Sequence, residues 1–357
     1  MSVSRRAVLG GVLGLALAGT AGELTLKLRE RAARPADAPD DSPAAQQPVG
    51  DAAPATGDRR YERLTGPDRT VVRDAAGAVL ATLTDGARTA VLTGKSRTFA
   101  DPDTSATVAT DAWVRLLPQP WQAGAEQAEW FKGWFQKSLG SAEDDVLAFA
   151  TQYLAGAPDQ KNPKGVRFRG NASFGPLNPN GSPGNDYRLE ETDFLDYLGM
   201  PWPFADKVTK QPDKARYGGV DCSGYVRLVY GYRAGYPLLS KDVAGPGLPR
   251  TANGLARLGP GVPVLALTTK PGSEETVHPA SLAALMPGDL LFFEIDARTG
   301  VRLDHTGIFL GLDSEGHPRF ISSREEADGP TFGDKGGTSR IDGGGFYGKG
   351  LRSAKRL

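Results

Sequence analysis

The sequence predicts an α+β fold: a small β-rich module and two helices, then a helix followed by antiparallel-compatible strands. Three observations carry this. Short β-like runs crowd residues 68 to 118. Apolar residues then recur at helical spacing, first at Trp130, Phe131, Trp134 and Phe135 and next at Val146, Phe149, Tyr153 and Leu154. Helix signals at ETDFLDYLGM and near Cys222 precede the strand-like DLLFFEI, HTGIFLGL, PRFISS and GLRSAKRL. Helices followed by a run of strands make an α+β pattern, unlike the strict alternation of a parallel sheet.

The chain begins MSVSRRAVLGG, with Arg5 and Arg6 ahead of an apolar run from Ala7 to about Ala21. A charged start followed by a short apolar run is the pattern of a secretory signal, and the adjacent arginines resemble a twin-arginine export signal. Residues 1–22 are therefore expected to direct export, or to serve as an uncleaved anchor. An anchor would be the chain's one membrane tether. Residues 23–60 are rich in Ala, Pro and Asp and poor in large apolar side chains, so they read as a linker without a core. Lysine plus arginine and aspartate plus glutamate both number 42, so no basic excess points to nucleic acid.

Residues 61–165 form the β-rich and helical module. RTVVR and AVLATLT are joined by the turn-like DAAG, and ARTAVLTG and SATVATDAWVRLLP follow. The aromatic stripe at 130–135 is read as core, and Ser141 is the expected cap of the second helix. Residues 155 to 186 are rich in turns and are read as a domain boundary; residues 185–357 form the second domain.

The chemistry centres on one residue. Cys222 is the single cysteine, so no intramolecular disulfide can form. It sits in YGGVDCSGYVRLVY, where Tyr225, Val226, Val229 and Tyr230 recur at helical spacing and Asp221 is a good cap. Cys222 is thus placed in the first turn of a helix, where unpaired amides favour thiolate over thiol. A nucleophilic thiol needs a base. Of the three histidines, His278 and His317 lie in turn-like, Pro-containing stretches, whereas His305 opens the strand-like HTGIFLGL. No pattern of metal ligands is present, and no cofactor is expected. GGGFYG at 343–348 satisfies a dinucleotide-loop pattern but has only nine residues after it, so it is read as a flexible loop. The stretch from Arg324 to Gly337 is read as a solvated loop.

DCSGYVRLVY, LMPGDLLFFE and DHTGIFLG resemble, in this order, the motifs of the NlpC/P60 family of cell-wall cysteine peptidases. The resemblance covers about residues 185–357. It implies a papain-like fold with a nucleophile helix packed on an antiparallel sheet. It implies Cys222 as nucleophile, His305 as base and hydrolysis of peptidoglycan stem peptides, commonly between D-γ-glutamate and a diamino acid. Peptidoglycan is the expected partner, with no metal or organic cofactor. The family usually has a third polar residue, often His, on the strand after the base. Here that strand reads Arg319-Phe320-Ile321-Ser322-Ser323. A hairpin turning at Asp313-Ser314 puts His305 opposite Ser322, so Ser322 is expected to orient the imidazole; Asp304 and His317 are weaker candidates. Tyr217 or Trp202 is expected to take the family's aromatic place near the nucleophile. Asp221 and Ser223 are candidate substrate contacts.

Overall fold

Alternating apolar residues fold the first strands into an antiparallel meander. The computed structural model describes residues 58–182 and 185–357; the stretch read as an export signal and nearly all of the expected linker lie outside the described residues. The meander runs β1 (Arg60–Leu64), β2 (Arg69–Arg73), β3 (Val79–Thr84), β4 (Thr89–Ala100) and β5 (Thr107–Leu116), in that order across the sheet. DAAG closes β2 onto β3, and the Asp74 carboxylate accepts from the Ala78 amide at 2.9 Å. Val72 pairs with Ala81, and both face a core built on Trp121 and on Phe131 and Phe135 of α1 (Glu129–Ser138). The aromatic stripe is therefore core. α2 (Val146–Thr151) starts later than expected, because Asp145 and not Ser141 is its cap. Asp145 accepts from the Ala148 amide at 2.9 Å and also from the Val114 amide and Arg97, both at 2.7 Å. One carboxylate thus caps the helix and fastens it to β5.

Two short ribbons follow, β6 (Gln160–Lys161) with β7 (Arg167–Arg169) and β8 (Trp202–Pro203) with β9 (Thr209–Lys210), on either side of α3 (Phe194–Leu198). Next come α4 (Cys222–Val226), which widens into a π-helix at Arg227–Arg233, and α5 (Ala252–Arg257). The remaining elements are β10 (Val262–Leu265), β11 (Leu290–Phe293), β12 (His305–Leu312), β13 (Pro318–Arg324), β14 (Gly329–Thr331), α6 (Phe346–Gly350) and β15 (Leu351–Arg356). Their sheet is antiparallel, in the order β10-β15-β11-β12-β13-β14. The protein is therefore α+β with antiparallel sheets.

The period-2 alternation of the strands divides this sheet between two cores. Leu290, Phe292, Ile308, Leu310 and Ile321 face Tyr225, Val226 and Val229 of the helix that starts at Cys222. Phe293, Phe309, Phe320, Leu351 and Tyr347 pack together on the other side. Each fully buried side chain of this size contributes about 1.5–3 kcal/mol, which fixes the helix on the sheet. The turn-rich stretch at 155–186 does not interrupt the packing, since Val108, Val114, Leu147 and Tyr153 belong to the same core as Tyr225 and Ile308. Among the described residues, no helix is long and apolar enough to cross a membrane.

Candidate active site

Cys222 is placed by its own neighbours in sequence. Asp221 caps α4: its carboxylate accepts from the Gly224 amide at 2.6 Å and from the Ser223 hydroxyl at 3.0 Å. The Asp221 amide donates to the Thr192 carbonyl at 2.8 Å. Gly224 is required by this contact, because a Cβ there would lie 2.4 Å from the same carbonyl. The first residue of the helix is then Cys222, whose own amide has no intrahelical acceptor. Its sulfur donates to the Asp304 carbonyl at 3.9 Å, directly before His305.

Beneath the helix start lies a network of paired charges. Arg250 contacts Asp221 at 2.6 Å and Ser223 at 2.8 Å, and its Nε lies 3.7 Å from Asp193. Arg227 binds Asp193 through Nε at 2.9 Å and Nη2 at 3.0 Å, and donates to the carbonyls of Leu239, Leu248 and Pro249. Although burial opposes it, this pairing holds the Asp193 carboxyl below the usual carboxylate range. Burial also works against the Arg250 charge, but Asp221 and Asp193 overcome it. Asp221 and Ser223 line the groove as expected, yet both are buried and their polar atoms are occupied by the cap and by Arg250.

The base side is built by strands distant in sequence. His305 pairs with Phe293 of β11 and lies on the Phe320 and Tyr347 face. Its ring packs against Tyr347, with centroids 5.1 Å apart and planes 36° apart, and against Phe293 at 5.9 Å. Its Nε2 is buried without a hydrogen-bond partner.

Ser322 does not fill the expected third position. Ile308 pairs with Ile321 and Phe309 with Phe320, but the register then shifts and Gly311 pairs with Arg319. The bulge uses Gly311, whose φ of 126° few other residues adopt. Continuing the Ile308–Ile321 register puts Arg324, not Ser322, opposite His305. Ser322 lies on the same face, but its hydroxyl accepts from Arg324 Nε at 3.0 Å. Ser323 faces the other way and donates to the Val220 carbonyl at 2.6 Å. The weaker candidates are also engaged elsewhere. Asp304 accepts from the amides of Ile295 and Asp296 and the Thr299 hydroxyl, while His317 pairs with Asp342 beyond the far end of the hairpin.

Neither aromatic candidate lines the groove. Trp202 packs edge-on against Phe194 and Tyr232, and Tyr217 is exposed beside Gly199. The groove-lining aromatic residue that packs on His305 is Tyr347, in α6, where a flexible loop was expected. The Arg324–Gly337 stretch is not simply solvated: Gly329–Thr331 forms β14, and Gly333, Lys335 and Gly337 turn their carbonyls to Arg324. The shifted partner arises from a turn centred on Glu315 together with the bulge at Gly311; of these, only the bulge has a frequent mark in the sequence, a glycine inside a strand.

Cys222, His305, Tyr347, Arg324 and Glu190 line one groove of about 1460 Å³. Within it the pair rests uncharged. Burial, followed by the negative charges of Asp221 and Glu190, pushes the Cys222 thiol well above its ordinary value. This reverses the thiolate expected from the helix start; α4 proper is only five residues long, and two carboxylates lie nearby. Burial, then the Arg324 guanidinium, pushes His305 down to about 3. The groove walls and the charges of Asp221 and Glu325 raise the Glu190 carboxyl to about 7, although one side of it stays open to water. Among the described residues, no cluster of three or more His, Cys, Asp and Glu side chains is arranged to hold a metal ion.

No protein-family model, curated protein or solved structure matches the chain.

Proposed function

We propose that this chain is an exported cysteine hydrolase of the NlpC/P60 type, with a papain-like domain, that cleaves peptidoglycan stem peptides. The bond best suited to this reading is that between D-γ-glutamate and a diamino acid. One observation carries it: a thiol at a capped helix start lies 3.9 Å from the carbonyl just before a strand histidine, in a groove large enough for a peptide. The N-terminal arginines and apolar run support export.

The neutral pair sets the order of steps. The Cys222 sulfur attacks the amide carbonyl while His305 takes the thiol proton, forming a C–S bond and an oxyanion. The Cys222 amide stabilises that oxyanion. Collapse breaks the C–N bond, and the proton on His305 passes to the leaving amine. A water then attacks the thioester as it gives a proton to His305. The C–S bond breaks, the acid product leaves, and the proton returns to sulfur. No metal or organic cofactor takes part.

A second reading, a weakly active wall-binding module of the same fold, is favoured by one feature: the buried His305 Nε2 has no acceptor. Digestion of purified peptidoglycan with mass analysis of the products separates the two readings. New amine and carboxyl termini that disappear with Cys222→Ser support the hydrolase. Intact stem peptides, with the protein retained on the polymer, support the module.

A further inference from the structure

Cys–His sites generally hold the far nitrogen of the imidazole with an acceptor, which fixes the ring and stabilises its charged form. Here the His305 Nε2 is buried and has no partner. The ring is instead part of a stack. Tyr347 packs on His305 at 5.1 Å, and the guanidinium carbon of Arg324, the last residue of β13, lies 4.4 Å from the Tyr347 ring centroid. Arg324 is 2% exposed. Its hydrogen bonds go to the Ser322 and Ser339 hydroxyls and the carbonyls of Gly333, Lys335 and Gly337. All are neutral, and no carboxylate pairs with it among the described residues. A guanidinium remains charged even when buried.

We propose that Arg324, acting through Tyr347, is the positioning residue of this site and stands in place of an acceptor behind the base: Tyr347 clamps the imidazole plane, and the charge of Arg324, which no carboxylate contacts, keeps the ring neutral until the thiol transfers its proton.

Among the described residues, no other charged group contacts Arg324: Asp101 is held by the Thr331 hydroxyl and the amides of Phe332 and Gly333, and Asp334 by Arg319, so both act on it only from a distance. From α4, Asp221 is held by the Arg250 guanidinium, and Cys222 is a thiol. At the entry to β12, Asp304 is turned to the 295–299 turn. Phe293 on β11 and Ser322 on β13 are uncharged, and Glu190, Glu325 and Glu326 line the open groove. The downward push on His305, from burial first and then Arg324, agrees with this arrangement. A nearby fixed cation makes the imidazole a weaker base and its protonated form a stronger acid. The site therefore resists charging at rest and readily gives up its proton to a leaving amine.

The inference rests on His305 being the base, and its first test needs no substrate. Three histidines give three ring signals in NMR of the intact protein, and His305→Gln identifies the one of interest. The expected result is no titration step for His305 between about pH 8 and about pH 5. Arg324→Gln is expected to raise its midpoint by about one pH unit or more, and Arg324→Lys to keep it low. A wild-type midpoint near the ordinary 6.5 overturns the proposal, as does one unmoved by Arg324→Gln in folded protein. Should Arg324→Gln fail to fold, the wild-type titration decides. On stem peptides, Tyr347→Leu is expected to lower kcat about tenfold with KM unchanged. A raised KM with intact kcat overturns the clamp. Failure of the hydrolase reading shows separately, as uncleaved peptidoglycan beside a His305 that still resists titration.

Discussion

The two sides of the groove treat buried charge in opposite ways. On the nucleophile side, Asp221, Arg250, Asp193 and Arg227 form an alternating chain in which every charge meets its opposite. On the base side, Arg324 is as deeply buried and meets only neutral oxygens. The first arrangement fixes a helix start. The second leaves one positive charge acting on whatever stands beside it, here a histidine. One side is thus built for rigidity, and the other sets a protonation state.

The largest expected effect tests whether the two sides act as one site. Cys222→Ser and His305→Ala should each lower peptidoglycan turnover by about a thousandfold or more, and the double variant should be little worse than either single one. Losses that multiply would mean that the sides work independently. Next is stability in urea. Arg227→Met leaves Asp193 buried without its main partner and should cost about 3–5 kcal/mol. Arg324→Met orphans only neutral acceptors and should cost less, about 1–3 kcal/mol. Equal costs would erase the contrast between paired and unpaired charge. A smaller effect concerns pH. Burial, then Arg324, pushes His305 from its ordinary 6.5 down to about 3 in the folded protein, so the unfolded chain binds more protons between these values. Stability should therefore fall as pH drops through that window, by at most about 1.4 kcal/mol per unit relative to His305→Gln. Parallel urea curves for the two proteins would remove the argument. The smallest effect is that of Ser322→Ala, which loses one hydroxyl acceptor of Arg324. Its cost should be about 1 kcal/mol, with kcat changed less than about threefold. A large loss in kcat would restore Ser322 as a direct partner of the base.

The nucleophile side was legible because its determinants are contiguous. Asp221, Cys222 and Gly224 specify cap, nucleophile and close approach within four residues. His305 was legible for the same reason, as the first residue of a clear strand. The two-layer α+β order and the final strand could also be read from periodicity. The partner of His305 could not, because it depends on a turn centred on Glu315 and a one-residue bulge between Phe309 and Gly311, which together move the register by two residues. A symmetric hairpin put Ser322 in the place that continuation of the observed pairing gives to Arg324. Tyr347 was hidden among glycines, where composition suggests a loop, although tertiary packing makes it a buried member of the second core. Arg250 and Asp193 carry no local signal; they become partners only when three separate segments meet under α4.

The raised Cys222 thiol has a consequence for the lifetime of the protein. Peroxide attacks thiolate far faster than thiol, and successive oxidation of a cysteine ends in acids that are not readily reduced. A chain with a single cysteine cannot divert the first oxidation product into an internal disulfide. Enclosure beside Asp221 and Glu190 holds the sulfur in its less reactive form between turnovers. The burial and neighbouring charges that make the Cys222 thiol slow to ionise therefore also protect it from oxidation.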